Sequence, residues 1–161
     1  MYEVREALPS DCKGIGKVYC DSWKAAYQKL LPQTYLDSLT IESCTPGQIS
    51  ENDVVLADCE RILGIGHISK ARDRDNKVWG EIVAIYLLPE IWGNGQGSAL
   101  LQYSLAKLKE KGIRHICLWV LKDNVRARQF YEKCEFQTSG SEREIEIAGS
   151  KALKVEYICA E

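Results

Sequence analysis

Apolar residues recur along this chain in two periods, and the switches between them mark out most of its elements. Residues 2–7 (YEVREA) alternate, the period of a half-buried strand. Pro9, Ser10 and Asp11 are helix-start residues, and Ile15, Val18, Tyr19, Trp23, Ala26 and Tyr27 then share one helical face. Pro32 opens a short second helix over PQTYLDSL, because its fixed φ suits a first helical turn. Residues 41–52 are polar, carry Pro46-Gly47 and read as a loop. DVVLADC (53–59) and ILGIGHISKAR (62–72) read as a hairpin turning at Glu60-Arg61, followed by a charged connection over 72–77. VWGEIVAIYLL (78–88) is apolar beyond strict alternation, which predicts a central strand.

After a glycine-rich turn, Leu100, Leu101, Leu105 and Leu108 trace a helix that stops at Gly112. A strand over 115–121, a short helix over 124–134 and two strands at about 142–147 and 152–159, joined at Gly149-Ser150, complete the pattern. The order β-α-α-β-β-β-α-β-α-β-β predicts a mixed α/β fold of α+β character. Its central twisted sheet has about seven mostly antiparallel strands, flanked by about four helices. No repeat, low-complexity tract or linker interrupts the pattern, so one domain over 1–161 is expected.

Composition narrows the function. The 161 residues are 45% hydrophobic and 27% charged, with 21 basic and 23 acidic residues giving a net charge of −2. No strong positive field draws nucleic acid, so none is expected as a partner. Cys12, Cys20, Cys44, Cys59, Cys117, Cys134 and Cys159 are scattered, odd in number and never in C-x-x-C, so neither a disulfide framework nor a metal site is signalled. The opening MYEVREALPSD lacks a signal-type apolar core, and no run approaches membrane-spanning length. A cytoplasmic chain without a membrane partner is expected.

The chemistry concentrates at YLLPEIWGNGQGSALL (86–101), where a strand meets a proline stop, a glycine-rich turn and a helix start. Gly93, Gly95 and Gly97 leave backbone N–H groups uncrowded where the helix adds unpaired donors and the positive end of its dipole. That is an anion-binding device suited to phosphate. The turn lacks the lysine of a P-loop and the spacing of a dinucleotide fingerprint.

Together with the later N-V-R-A-R-Q-F-Y-E-K-C-E-F, this stretch resembles the GNAT superfamily of acyl-CoA-dependent N-acetyltransferases. In that superfamily a bulged strand ending in V/L-x-P leads into Gln/Arg-x-x-Gly-x-Gly/Ala around the CoA pyrophosphate. Those six positions here are Trp92, Gly93, Asn94, Gly95, Gln96 and Gly97. The signature N-x-x-A-x-x-F-Y-x-x-x-G-F is matched by Asn124, Ala127, Phe130, Tyr131 and Phe136. Two departures stand out. Trp92 replaces the usual Gln/Arg, so no side-chain cation is supplied there, and Glu135 replaces the glycine before Phe136.

The resemblance implies acetyl-CoA as donor, no metal, and a small-molecule or peptide primary amine as acceptor. It leaves a homodimer open, an assembly common in the family. Backbone groups of 93–98, Ser98 included, are implied to hold the pyrophosphate, and Ile85, Tyr86 and Leu87 to pair with the pantetheine arm. Tyr131 reads on its own as a core aromatic. The resemblance makes it the proton donor to the CoA thiolate, chemistry that a phenol of pKa ~10 can perform without ionising at neutral pH. Asn124 reads as a helix cap, and by resemblance also reaches the pantetheine. Glu81, acidic within an apolar strand, is either a structural ion-pair member or the base that takes the amine proton, directly or through water. Trp23 and Tyr27, at i and i+4, are either core or a wall of the acceptor pocket. His67 and His115 lack partner spacing and read as structural. A non-catalytic acyl-CoA sensor of the same fold and a nucleotide-binding protein are the competing classes.

Overall fold

The computed structural model describes residues 1–59 and 61–160. Glu60, in the turn expected between the second and third strands, lies outside the described residues. The elements follow the order β1 (Tyr2–Glu6), α1 (Cys12–Ala26), α2 (Gln33–Ser38), α3 (Ile41–Cys44), β2 (Asp53–Asp58), β3 (Arg61–Lys70), β4 (Trp79–Leu87), α4 (Gln96–Glu110), β5 (His115–Leu121), α5 (Val125–Lys133), β6 (Gln137–Ile147) and β7 (Ser150–Ala160). One sheet runs β1-β2-β3-β4-β5-β7-β6. Its one parallel pair is β4–β5; the other five are antiparallel.

Three expectations need correction. Residues 41–52 are not all loop, because Ile41–Cys44 form α3, which raises the α-helix number to five. Thr40 starts it: its hydroxyl accepts from the Ser43 N–H at 3.0 Å, and the Ser43 hydroxyl accepts from the Thr40 N–H at 3.0 Å. The strand expected at 142–147 begins at Gln137 and carries a register shift between Thr138 and Glu142, around Gly140 at φ 87°. It is a solvated edge strand, so its first half has no apolar alternation to read. Finally, Arg61 belongs to β3 rather than to the turn, and Cys59 takes the positive φ of 55°.

Two faces of the sheet bury different clusters. Leu101, Leu105 and Leu108 of α4 pack with Tyr131 and Phe136 against Ile116, Leu118, Val120, Val155 and Tyr157. On the other face Leu31 and Leu36 meet Leu121, with Trp23, Tyr27, Ile145 and Ile147 against them.

β4 carries the feature that sets the site. Opposite β3 its register passes from His67↔Ala84 to Ile68↔Ile82, so Val83 is an extra, bulged residue. In a regular strand Glu81 and Tyr86, five apart, would lie on opposite faces. The bulge rephases the strand, and both lie on the α1 side. Tyr86 packs edge to face with Tyr19 and Trp23 of α1 while Leu87 packs at Gly97 of α4.

α5 ends in a Schellman motif. The Phe136 N–H donates to Tyr131 O at 3.0 Å and the Glu135 N–H to Glu132 O at 3.1 Å, with Glu135 at φ 70°. Glu135 therefore adopts the left-handed conformation that the family's glycine adopts freely, and the turn keeps its shape. A side chain there costs about 1–2 kcal/mol of backbone strain. After the loss of unfolded-state restriction, Glu135→Gly should gain about 0.5–1 kcal/mol. The check is an increase in the midpoint of chemical unfolding at unchanged m-value; an unchanged or lower midpoint would remove the strain argument.

Candidate active site

β4 and β5 pair only over Trp79–Glu81 and His115–Cys117, and beyond that the two strands separate. The split leaves one edge of β4 without a strand partner over residues 82–87. An extended ligand can add to such an edge as a strand would. Two cavities meet there. An open groove of about 580 Å³ runs from the split past Leu87, Trp92 and the glycine turn, with α5 along its other wall. A smaller cavity of about 110 Å³ lies toward α1, walled by Trp23, Tyr27, Leu31, Trp119 and Lys154. Ile85, Tyr86, Arg126, Ala127 and Tyr131 line both.

The three glycines of the turn do different work. Gly93 and Gly95 sit at φ 80° and 86°, and a Cβ on either would meet nothing within 4 Å. They are needed for the turn's backbone and leave it open toward the groove. Gly97 differs: a Cβ there would lie 3.1 Å from Leu87 Cδ1 and 3.3 Å from Phe130 Cε2, so its bare Cα serves close packing. α4 starts at Gly95 without a side-chain cap, which leaves its first N–H groups available to an anion. Asn94 and Gln96 do not line the groove; the Gln96 Oε1 is buried without a hydrogen-bond partner.

Tyr131 is buried at 9% exposure, with its ring 5.2 Å from Phe130 and 6.0 Å from Phe136. Burial, and next the nearby Tyr86, hold its hydroxyl well above the usual phenol range, so it keeps its proton at neutral pH. Its helix is fastened from below. The wholly buried Tyr157 donates to Glu132 at 2.6 Å and accepts from Arg128 Nε at 3.0 Å. Asn124 caps α5, its Oδ1 accepting from the Ala127 N–H at 3.3 Å, and it also lines the smaller cavity. Trp23 and Tyr27 pack edge to face at 5.0 Å and wall that cavity, so core and pocket roles coincide.

Glu81 lies at the last β4–β5 pair, opposite Cys117, on the cavity's face of the sheet but not among its lining residues. Burial raises its pKa above the usual carboxylate range, opposed by Arg143 and Lys154 and assisted by Glu156. His67 bonds Asp53 at 2.6 Å, and His115 lies beside Trp79 at 5.3 Å.

Arg126 and Lys154 are site residues that sequence reasoning missed. The Arg126 guanidinium stacks 3.5 Å from the Trp92 ring centre, so the indole at the Gln/Arg position carries a cation on its face. The Trp92 N–H meanwhile donates to Leu87 O at 2.9 Å, fixing the ring and occupying that carbonyl. Arg126 and Phe130 stand at i and i+4 on the groove side of α5, a spacing that could have pointed to the arginine. Among the described residues no cluster of side chains suits a metal, and no helix is long and apolar enough to cross a membrane.

Residues 13–136 match the acetyltransferase (GNAT) family model. The chain belongs to the GNAT family. It is 34% identical over 128 residues to the uncharacterized N-acetyltransferase YuaI of Bacillus subtilis, covering 77% of this chain and 74% of that protein. It is 35% identical over 81 residues to the uncharacterized N-acetyltransferase Mb2688 of Mycobacterium bovis, about half of each chain. The fold superposes on the PaiA N-acetyltransferase of Thermoplasma acidophilum, solved with coenzyme A, at a TM-score of 0.73 and 20% identity, over 97% and 98% of the two chains. This GNAT chain is therefore an acyl-CoA-dependent N-acetyltransferase.

Proposed function

We propose that this enzyme acetylates a primary amine of a small molecule or peptide by direct attack within a ternary complex, with the two cavities as donor and acceptor sites. Supporting this reading is one observation above others: Tyr131 stands where the groove and the cavity meet, at the split between β4 and β5. The groove fits acetyl-CoA, because the space a Cβ would occupy at Gly93 and Gly95 is open and the first amides of α4 are uncapped. Backbone N–H groups of 93–98 hold the pyrophosphate, with Arg126 on Trp92 supplying the nearby positive charge. The free edge of β4 at Ile85 and Tyr86 aligns the pantetheine arm, and Asn124 holds its inner end.

When bound, the donor supplies an activated acetyl thioester. An amide of β4 beside the Val83 bulge donates to the carbonyl oxygen as negative charge develops there. Glu81 takes the amine proton, directly or through a water, which restores the nucleophile from its protonated resting form. The Tyr131 hydroxyl gives its proton to the departing thiolate. Trp23 and Tyr27 wall the acceptor. Seven free cysteines are in keeping with a reducing cytoplasm.

An acyl-CoA sensor that had given up the chemistry is not favoured, because the matched relatives are N-acetyltransferases and Tyr131 keeps its hydroxyl at the junction. The deciding experiment combines thermal shift with mass spectrometry. Acetyl-CoA and CoA should raise Tm where ATP does not, and a panel of primary amines should yield products heavier by one acetyl group. Stabilisation by CoA with no product from any amine would favour the sensor, and equal stabilisation by ATP would favour a nucleotide site.

A further inference from the structure

The floor of the acceptor side carries an unbalanced charge. Strand pairing puts Arg143 directly opposite Lys154, and Lys154 opposite Leu121. Leu121 faces α1 and α2 in the core, so Lys154 and Arg143 share that face. Cross-strand neighbours of like charge repel one another and destabilise the sheet. Neither side chain forms an ion pair among the described residues. Arg143 instead lies over Trp119, its guanidinium 4.2 Å from the ring centre, while Lys154 lines the cavity half-buried.

Nor can Glu156, next but one to Lys154 on the same face, supply the missing charge. It is 2% exposed and already taken. Arg74 grips it with two bonds of 3.1 and 3.0 Å, and Ser139 donates to it at 2.7 Å. Among the described residues, Glu81 is the carboxylate whose charge favours the Lys154 ammonium, whose pKa is lowered by burial and by Arg143. Lys154 and Arg143 thus have Glu81 as their shared carboxylate among the described residues, and Arg126 adds a further cation to the cavity wall. In the reading above, that carboxylate is neutralised whenever it takes the amine proton.

We propose that Lys154 and Arg143 form an anion subsite for the acceptor, so that the acceptor amine carries a carboxylate. This deepens the proposed function and rests on it. In this arrangement the acceptor's carboxylate lies on Lys154 in the cavity wall, with the exposed Arg143 fork held on the outer side by Trp119, and its amine points toward Tyr131. The cavity's small volume suits a compact amino-acid-like head between the aromatic walls of Trp23, Tyr27 and Trp119. A free amino acid and a peptide bearing an acidic residue share this chemistry.

The test measures kcat/KM with acetyl-CoA for matched pairs: free amino acids against their primary amides, and tripeptides with an acidic residue against their Asn/Gln counterparts. Wild type should prefer the acid member by about tenfold, the worth of one charge-assisted contact. The arm that shows the preference identifies the source. Lys154→Met should reduce that ratio toward one, chiefly through KM for the acid, and Lys154→Arg should restore it. A wild-type ratio near one, or a ratio that Lys154→Met leaves intact, overturns the subsite. If no member of either arm is acetylated, the proposed function fails separately, and binding decides the subsite. N-acetylated acids, but not the matching amides, should then raise Tm of the CoA-bound protein and lose that effect in Lys154→Met; no such difference overturns it.

Discussion

Tyr131→Phe should lower kcat by about 10²–10⁴-fold, the range for loss of a positioned general acid, while the KM for acetyl-CoA stays close to wild type. The ring's packing against Phe130, Phe136 and Tyr157 is kept by phenylalanine, so the fold should not be disturbed. What is lost is one proton at the point where groove and cavity meet. Burial holds that hydroxyl above the usual phenol range, so Tyr131 should contribute no loss of activity with rising pH anywhere near neutrality. The measurement is steady-state kinetics with separate acetyl-CoA titration. An unchanged kcat would mean that another group or solvent protonates the thiolate.

Glu81→Gln should cost a comparable factor in kcat/KM, and its pH behaviour is more distinctive. A base works only when unprotonated. Because burial raises the Glu81 pKa, the acidic limb of the rate profile should lie above the usual carboxylate range. Activity should rise with pH through that raised value and then level, and Gln should abolish the limb. Stability should move the other way. A carboxyl with a raised folded pKa binds more protons folded than unfolded between the two values, so folding weakens as pH rises through that window. Above it, the buried charge is a standing cost that Gln removes, and the variant should be more stable at neutral pH. Retained turnover with an unaltered acidic limb would assign the proton to another acceptor.

The legible parts of this molecule were those whose cause is local. The proline stop, the glycine turn and the Asn124–Phe136 run each carry their constraint within a few residues, and their element types agree with the structure. α3 was hidden because four residues show no period, and Thr40 and Ser43 cap each other beside a Pro46-Gly47 that reads as loop. The start of β6 was hidden because an edge strand facing water needs no apolar alternation. Within the site, Arg126 gains its place from Trp92, 34 positions away in the chain. Lys154 gains its place from strand register, and nothing in its own neighbourhood distinguishes it from an ordinary surface lysine. Trp92 reads as the loss of a cation until the structure places one on its face.

The split between β4 and β5 also bears on how this protein stays apart from other chains. Unpaired strand edges invite a foreign strand and, through it, aggregation. This sheet has two rims and, because of the split, two further edges in its interior. The rims are guarded by charge: β1 carries Glu3, Arg5 and Glu6, and β6 carries Glu142, Arg143, Glu144 and Glu146. The inner edges have no such guard. They face each other across a split whose walls carry side chains of α1 on one side and α5 on the other. Cover by neighbouring helices therefore takes the place of charge at the inner edges.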